Sequence, residues 1–377
     1  MTSSYTVKLP AGDLTVSVDG GSEGLLSLCD FAARENPKRS FLFVSKVLGK
    51  HLPARPSVVI QHQYELAKRL AAALGDVPDA LVIGFAETAT GLGAGVFEHT
   101  QALLPNTSLL YMQTTRYHFA RERVMHFQEE HSHATGHLLY APSVGAHIFR
   151  KTRTLVLVDD EFTTGKTCVN FARAFLAVNP NIERVILVSL LNWMTDEQQG
   201  AINRITGKGH IISLVSGECR FTRNEGYPLP VLPDVVGNGS LKDALVPLSY
   251  GRFGEMTPEK LRFDRVLDRL HLDATRPVHV LGDGEFMHPP LQLAARLEQL
   301  GFDTYFQATT RTPVLPGMCI HNKTVFRDHY QDGIPNYVYN LPGPDAQVVL
   351  CHESLQPLTL PQHHPMSTVY YKELLCA

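Results

Sequence analysis

The stretch TLVLVDDEFTTGKT, residues 154–167, decides the fold of this 377-residue chain. Residues 155–158 are apolar on both faces, as an interior parallel strand requires. Asp159 and Asp160 end the strand, and small hydroxyl residues with one glycine, Gly165, open the following helix. Such a helix start presents several backbone N–H groups together with the helix dipole, which makes a phosphate site.

Further strands and helices alternate on both sides of this stretch. A hairpin is predicted at 5–19, strands at 80–83, 108–113 and 184–191, and helices at 58–75, 94–104 and 168–178. This alternation predicts an α/β fold with a mostly parallel sheet flanked by helices. Ligands of such sheets bind at the carboxyl ends of the strands, where the loops 84–93 and 159–167 lie.

A second, smaller α/β module is predicted toward the C-terminus. A helix at 289–301 lies between strands at 278–282 and 303–310. Thr257-Pro258-Glu259 has the composition of a helix start, with Thr as N-cap. The chain therefore divides into a first domain at 1–225, a connector with a helix at 226–272, and a module at 273–377.

Adjacent carboxylates beside a phosphate cradle indicate a ligand that is anionic at one end and rich in hydroxyls, or metal-bound, at the other. A ribose 5-phosphate has this chemistry, and Mg²⁺ bound through Asp159 and Asp160 can bridge to a pyrophosphate. The candidate substrate-binding residues of this stretch are Glu161, Thr163, Thr164, Gly165, Lys166 and Thr167.

A nucleoside-triphosphate P-loop is the competing interpretation, because Gly165-Lys166-Thr167 matches the end of its motif. The first glycine of that motif would fall at Asp160, whose carboxylate repels phosphate. A purely structural turn is a weaker alternative, since two adjacent carboxylates without a cationic partner have no packing role at the end of a strand.

On these residues the chain resembles the type I phosphoribosyltransferases, whose signature is four mostly apolar residues, two acids and a hydroxyl/glycine loop. The resemblance implies transfer from phosphoribosyl pyrophosphate with Mg²⁺ as cofactor. It assigns the ribose hydroxyls to Asp159 and Asp160 and the 5-phosphate to residues 163–167. Purine-salvage members commonly carry Asp where this chain has Thr163, so its loop is more similar to the orotate type.

The turn 84–91 stands where this family has its pyrophosphate loop. Its candidate binding residues are Ala86, Glu87, Thr88, Ala89, Thr90 and Gly91. A tight strand-to-helix connection is the alternative interpretation of the same residues.

The polar stretch 114–136 corresponds to the flexible hood of this family, and it has little apolar periodicity with which to pack. Arg116, Arg121 and Arg123 are candidates to meet pyrophosphate, with Arg116 and Arg123 as the catalytic pair. A solvated face explains each arginine singly as well. His131, His133 and His137 have metal-ligand spacing, but the aspartate that completes a hydrolase motif is replaced by Thr135. A His-rich lid is therefore favoured over a transition-metal site.

A basic cluster precedes the first core helix, and the family recognises its base with this part of the chain. It comprises Asn36-Pro37-Lys38-Arg39, Lys46 and Gly49-Lys50-His51. The cluster suggests an anionic acceptor, with Lys46 as a candidate binding residue, and a solvated face is the stronger alternative.

The C-terminal module carries Thr310-Arg311-Thr312-Pro313, close to the Thr-Arg-Ser-Pro motif of a phosphoribosyltransferase subfamily found in tellurite-resistance gene clusters. The segments GFAETATGLG and EEHSHATGHLL are similar to this subfamily as well. It is thought to make a nucleoside-like product, and Arg311 is a candidate anion clamp. A turn closed by Thr and Pro is an equally good explanation of Arg311.

Composition limits the classes of partner. The net charge is −3, with 44% hydrophobic and 19% charged residues, so neither nucleic acid nor a membrane surface is expected as a partner. No apolar run approaches the roughly 20 residues of a membrane helix, and the start lacks a signal-peptide core. The six scattered cysteines suit reduced thiols and a cytoplasmic location. The acceptor is unidentified, a homodimer is one option for the assembly, and a regulator that senses phosphoribosyl pyrophosphate is the rival from a different functional class.

Overall fold

The computed structural model describes residues 2–19, 22–34, 36, 39–127, 136–228, 239–360 and 366–375. The strands and helices up to residue 127 are β1 (Thr2–Leu9), β2 (Gly12–Asp19), α1 (Ser22–Leu28), β3 (Cys29–Ala33), β4 (Phe41–Ser45), α2 (Pro56–Leu74), β5 (Asp79–Gly84), α3 (Thr90–Leu103), β6 (Ser108–Gln113) and β7 (Arg123–Phe127). Those between residues 136 and 228 are β8 (His137–Tyr140), α4 (Ala146–Lys151), β9 (Thr154–Val158), β10 (Glu161–Phe162), α5 (Lys166–Phe175), β11 (Arg184–Asn192), α6 (Asp196–Thr206) and β12 (Gly209–Arg223). The remainder are α7 (Asp264–Leu270), β13 (Val278–Gly282), α8 (His288–Gln299), β14 (Thr304–Ala308), β15 (Lys323–Arg327), β16 (Pro335–Tyr339), β17 (Gln347–His352), β18 (Met366–Tyr370) and α9 (Tyr371–Leu375).

The large sheet confirms the predicted α/β class. Its strands run in the order β1-β2-β12-β11-β9-β5-β6, with the short β10 also paired to β11. The strands β12, β11, β9, β5 and β6 are parallel to one another, and the hairpin β1–β2 adds the antiparallel edge. Leu157 pairs with Leu187 on one side and Ile83 on the other, and all three are fully buried. The apolar run of β9 therefore forms the centre of the sheet, with its carboxyl end beside that of β5.

Helices α2 and α3 pack tightly over one face of this sheet. Pro56 lies in the first turn of α2, and Gly75 ends the helix with a φ of 61°. The backbone of α3 approaches α2 so closely at Gly95 that a β-carbon there would collide with the Gln63 side chain. The predicted helix 58–75 and its glycine cap are confirmed.

The C-terminal module has its own parallel sheet, in the order β14-β13-β17-β18. Helix α8 connects β13 to β14 and begins with Pro289 and Pro290 in its first turn. Nowhere in the described ranges is a helix both long and apolar enough to cross a bilayer. Five of the six cysteines are described, and all five are free thiols.

The predicted helix start at Thr257-Pro258-Glu259 is wrong, because the helix α7 begins only at Asp264. Tertiary contacts hold the intervening segment out of a helix. The Arg262 N–H donates to the Leu374 carbonyl at 2.8 Å, and the Tyr371 hydroxyl donates to Glu259 at 3.1 Å. Capping composition is a weak local preference that such contacts override.

The contact at Gly95 predicts how a single methyl group changes stability. Gly95→Ala should lower the free energy of unfolding by about 1–3 kcal/mol, because the added carbon overpacks the α2–α3 interface. Gly200→Ala is the matched control, since the β-carbon in α6 would have only Arg204 in ordinary contact. It should raise stability by about 0.5–1 kcal/mol through helix propensity. Urea unfolding of the two variants would contradict this account if both changed stability in the same direction.

Candidate functional site

Two strand ends place the predicted loops against each other. Strands β5 and β9 are parallel neighbours, and the turn after β5 reaches the acidic pair after β9. The Thr88 hydroxyl donates to Asp160 Oδ1 at 3.0 Å, and the Phe85 N–H donates to the Val158 carbonyl at 3.0 Å. The turn 85–89 and the loop 159–165 therefore form one continuous rim.

The acidic pair stands beside the start of α5. Asp159 and Asp160 are half-buried, and Asp159 Oδ1 accepts the Asp160 N–H at 2.9 Å. Gly165 precedes the helix with a φ of 65°, a left-handed conformation that glycine adopts without strain. A β-carbon there would also collide with Met194 Sδ. The hydroxyl residues Thr163, Thr164 and Thr167 are half-buried, and Lys166 is exposed.

Glu161 is engaged by the protein itself. Its Oε1 lies 2.6 Å from the Arg39 guanidinium and 3.2 Å from the Thr163 hydroxyl. Burial raises the pKa of Glu161, although Arg39 acts in the opposite direction. The residue predicted to bind substrate thus first serves to fix Arg39 and Thr163 at the rim.

Glu87 joins the turn 85–89 to two distant segments. Its carboxylate lies 2.9 Å from Lys50 Nζ and accepts the Arg311 backbone N–H at 3.3 Å. Burial by itself would raise the pKa of Glu87, but Lys50 and Arg311 hold that pKa below its ordinary value. The Arg311 guanidinium pairs with Asp332 at 3.2 Å. Glu87 and Arg311, both predicted to bind substrate, therefore meet at the boundary with the C-terminal module.

The remaining residues of the predicted pyrophosphate loop are buried. They are Ala86, Ala89, Thr90 and Gly91. The Thr90 hydroxyl donates to the Glu285 carbonyl at 2.8 Å, and a β-carbon at Gly91 would collide with Met287. Thr88 and the backbone around it are consequently the part of the turn that faces the acidic pair.

The beginning of the hood is packed rather than loose. The Thr115 hydroxyl and the Arg116 N–H donate to the two oxygens of Glu285, at 2.5 and 2.7 Å, and Tyr117 and Phe119 are buried. The expectation that the stretch has little with which to pack is therefore wrong for residues 114–119. Two aromatic residues and a distant carboxylate supply the packing that the polar composition concealed.

The other arginines of the hood are farther along it. Arg121 donates to the Ser143 hydroxyl at 3.0 Å and lies over the Phe253 ring, and Arg123 is exposed on β7. Residues 128–135 lie outside the described ranges. His131 and His133, which were predicted to belong to a His-rich lid, are among these residues.

Arg252 is the functional neighbour that sequence reasoning missed. Its guanidinium is fully buried, 2.9 Å from Glu285 and 2.6 and 2.7 Å from the two oxygens of Glu353. Burial alone would lower the pKa of Arg252, but the two carboxylates raise it well above its ordinary value. Glu285, in the turn GDGEF at residues 282–286, is the residue that links the hood to Arg252.

The predicted basic cluster is neutralised wherever it is described. Lys46 lies 3.0 Å from Asp30, while Arg39 and Lys50 pair with Glu161 and Glu87. None of these three cations presents uncompensated positive charge, so the case for an anionic acceptor loses its support. Lys38 lies outside the described residues.

A narrow cleft of about 10 Å³, roughly the space of one water molecule, opens beside Asp160. It is lined by Leu28, Cys29, Phe43, Ser45, Asp160, Glu161, Leu190 and Leu191. Phe43 stacks on Trp193, with the ring centroids 4.7 Å apart. The walls of this cleft are mostly apolar, with Asp160 and the Arg39-paired Glu161 at one end. In the sequence, the only indication of this cleft is the apolar segment 41–45, which forms β4 outside the core sheet.

The chain matches two protein families. Residues 28–218 match a family described as phosphoribosyl transferase, and residues 249–359 match the TRSP domain, described as C-terminal to that family. No curated protein matches the chain.

Parts of this chain are similar to solved adenine phosphoribosyltransferases. The enzyme from Thermoanaerobacter pseudethanolicus is 15% identical, with 52% of this chain and 99% of that chain covered and a TM-score of 0.33. The enzyme from Trypanosoma brucei, in complex with AMP, pyrophosphate and ribose-5-phosphate, is 11% identical, with coverages of 51% and 78% and a TM-score of 0.35. The enzyme from Giardia lamblia, with 9-deazaadenine, is 15% identical, with coverages of 42% and 83% and a TM-score of 0.28.

The buried arginine gives a prediction for stability. Arg252→Met should lower the free energy of unfolding by about 3–5 kcal/mol, because it leaves two buried carboxylates without their cation. Arg269→Met removes an exposed pair with Glu373 and should change that free energy by less than about 1 kcal/mol. Denaturant unfolding of both variants measures this difference. Equal losses of stability would mean that the buried ion pairs of Arg252 do not stabilise the fold more than an exposed pair does.

Proposed function

We propose that this chain, which belongs to the phosphoribosyl transferase family, moves ribose 5-phosphate from phosphoribosyl pyrophosphate to a nucleophile and releases pyrophosphate. The Thr88–Asp160 hydrogen bond carries the proposal, because it unites the two loops that hold the two ends of this substrate. In the reaction the bond from C1 of the ribose to pyrophosphate breaks, and pyrophosphate keeps the electron pair. The acceptor nucleophile then bonds to C1 and gives its proton to solvent.

Each end of the substrate has a matching part of the rim. The 5-phosphate binds at the start of α5, where the N–H groups, the dipole and the hydroxyls of residues 163–167 converge. Asp159 and Asp160 accept the 2- and 3-hydroxyls of the ribose. The pyrophosphate lies along the turn 85–89 toward Arg116, with Arg123 of the hood as a second candidate partner. Catalysis is then mainly electrostatic, since the ribose gains positive charge as pyrophosphate leaves.

The acidic pair also fits a Mg²⁺ ion. Two adjacent half-buried carboxylates supply the hard oxygen ligands that this ion prefers, with substrate and water completing its coordination. Bound there, Mg²⁺ would neutralise charge on the leaving pyrophosphate. Asp159 and Asp160 would hold it directly or through water.

The cleft lined by Phe43 and Ser45 is the proposed acceptor site. It borders Asp160 and Glu161, so an acceptor in it lies next to the ribose. The cleft must widen to admit an acceptor, and its apolar walls and the Asp160 carboxylate favour a neutral group with N–H donors over an anion. Residues 1–225 would form the transferase domain, 226–272 the connector, and 273–377 a module that completes one wall of the site through Glu285 and Arg311.

Substrate binding tests the assignment of the acidic pair. Asp159→Asn with Asp160→Asn should weaken Mg²⁺-dependent binding of phosphoribosyl pyrophosphate by several kcal/mol, at roughly 1.5–3 kcal/mol for each charged hydrogen bond lost. The matched control is Asp196→Asn with Glu197→Gln, which removes an exposed acidic pair in the first turn of α6 and should leave binding unchanged.

Isothermal calorimetry measures both pairs of variants, and ATP with Mg²⁺ is titrated in parallel. Unchanged affinity in the first pair would overturn the assignment of the acidic pair. Stronger binding of ATP than of phosphoribosyl pyrophosphate by the native chain would favour a P-loop. Binding of phosphoribosyl pyrophosphate with no pyrophosphate release in a cell extract would favour the sensing regulator.

The acceptor site has its own test. Ser45→Leu places a larger side chain in the cleft and should raise the KM for the acceptor roughly tenfold, or about 1.4 kcal/mol, without changing phosphoribosyl pyrophosphate binding. Ser27→Leu, on the exposed side of α1, is the control. The acceptor is first identified by mass spectrometry of products from labelled phosphoribosyl pyrophosphate in a cell extract. An unaltered KM in the Ser45→Leu variant would place the acceptor elsewhere.

A further inference from the structure

A second cluster of chemically active side chains lies in the C-terminal module. Asp283 directly follows β13, and His352 ends the neighbouring parallel strand β17. His329 comes from the segment after β15, and all three residues are buried. The carboxyl ends of adjacent parallel strands are where α/β sheets place their ligands. This cluster therefore occupies a ligand-binding position that the proposed transferase reaction does not use.

The three side chains point their ligand atoms at one another. Asp283 Oδ2 lies 3.0 Å from His329 Nε2 and 3.0 Å from His352 Nδ1. The three ligand atoms all lie within 4.8 Å of one another. In a tetrahedral site with ligand distances of about 2.1 Å, ligand atoms stand about 3.4 Å apart. The cluster needs only a small expansion to reach that geometry.

The surroundings of the cluster are rich in buried carboxylates. The Tyr330 hydroxyl lies 2.7 Å from Asp283 Oδ1 and 2.9 Å from Glu353 Oε1. Glu353 and Glu285 in turn share the single guanidinium of Arg252. Among the described residues of this connected network, three carboxylates thus face one cation, and one phenol proton cannot serve two carboxylates at once. Buried charge of this kind requires compensation.

The geometry points to a divalent transition metal, Zn²⁺ by its ligand chemistry, held by Asp283, His329 and His352. Two imidazoles and one carboxylate match the ligands of Zn²⁺ sites with three protein ligands and one open position. Its positive charge would compensate the buried carboxylates of the network. Tyr330 orients the second oxygen of Asp283, as groups around metal ligands commonly do. Metal binding must replace the hydrogen bonds from the two imidazoles to Asp283 and relax the contact of the Leu358 N–H, 3.4 Å from His352 Nε2.

Such a metal would stabilise the module at the point where it meets the transferase site. Asp283 is two residues from Glu285, which holds Thr115 and the Arg116 backbone. The Gly284 carbonyl between them accepts from Lys50 Nζ at 2.6 Å. The metal therefore fixes the loop 283–285 without touching phosphoribosyl pyrophosphate. Its binding is independent of the proposed reaction and is measured without any substrate.

The test begins with the full-length chain purified without chelator. We expect one Zn²⁺ per chain by elemental analysis, a lower melting temperature after EDTA treatment, and recovery on adding Zn²⁺. Co²⁺ added to the chelated protein should give the visible absorption of a four-coordinate nitrogen and oxygen site. No stoichiometric metal in the purified chain, together with no saturable Zn²⁺ or Co²⁺ binding after EDTA, would overturn the proposal and leave a hydrogen-bonded His–Asp–His cluster.

Variants locate the metal. His329→Gln should lower Zn²⁺ affinity by at least roughly tenfold, the smaller end of the effect seen even for groups that only support metal ligands. His131→Gln with His133→Gln tests the histidines of the hood, and His288→Gln removes a buried histidine that pairs with Glu98. Both controls should retain one Zn²⁺ per chain. Loss of the metal in either control, or its full retention in the His329→Gln variant, would contradict the assignment.

X-ray absorption of the native chain keeps the test decisive if the His329→Gln variant does not fold. Two imidazole ligands and oxygen ligands without sulfur are expected around Zn²⁺. A sulfur ligand would place the metal at a cysteine and overturn the proposal.

Discussion

The arrangement of the site depends on one buried cation, the Arg252 guanidinium, held between Glu285 and Glu353. A buried ion pair contributes little net stability, but removing one partner is costly because the other charge stays behind in a low-dielectric interior. Arg252 therefore acts mainly as a geometric constraint. It fixes Glu285 at the position where its two oxygens receive the Thr115 hydroxyl and the Arg116 N–H.

Where the carboxyl edges of the two sheets meet, their boundary is polar, while apolar residues of α2, α3 and α8 belong to one continuous core. Lys50 bridges the Glu87 carboxylate of one sheet and the Gly284 carbonyl of the other, and Arg311 reaches Glu87 through its backbone. Each of these contacts ends on the turn after β5 or on the loop after β13. The two carboxyl edges thus share their charged groups, so a change in the C-terminal module alters the rim of the proposed transferase site directly.

The sequence predicted those parts of the fold that depend on local pattern. The four apolar residues 155–158 gave the central parallel strand, and Gly165 marked the helix start at which the chain must turn left-handed. Contacts between residues far apart in the chain leave no local pattern in the sequence. Arg252 and Glu353, for example, form their ion pair across 101 residues. The helix start at Thr257 failed for the same reason, because the contact of Glu259 with Tyr371 outweighs a capping preference.

The packed beginning of the hood changes how the C-terminal module contributes to the proposed reaction. If a hood becomes ordered only on binding, the loss of its conformational entropy makes the free energy of substrate binding less favourable. Here Glu285 already holds the Arg116 backbone, and Tyr117 and Phe119 are buried before any ligand arrives. That part of the ordering cost is met during folding. In the proposed reaction the module preorganises the hood, and Arg252, which lies behind Glu285, contributes without contact to the reacting atoms.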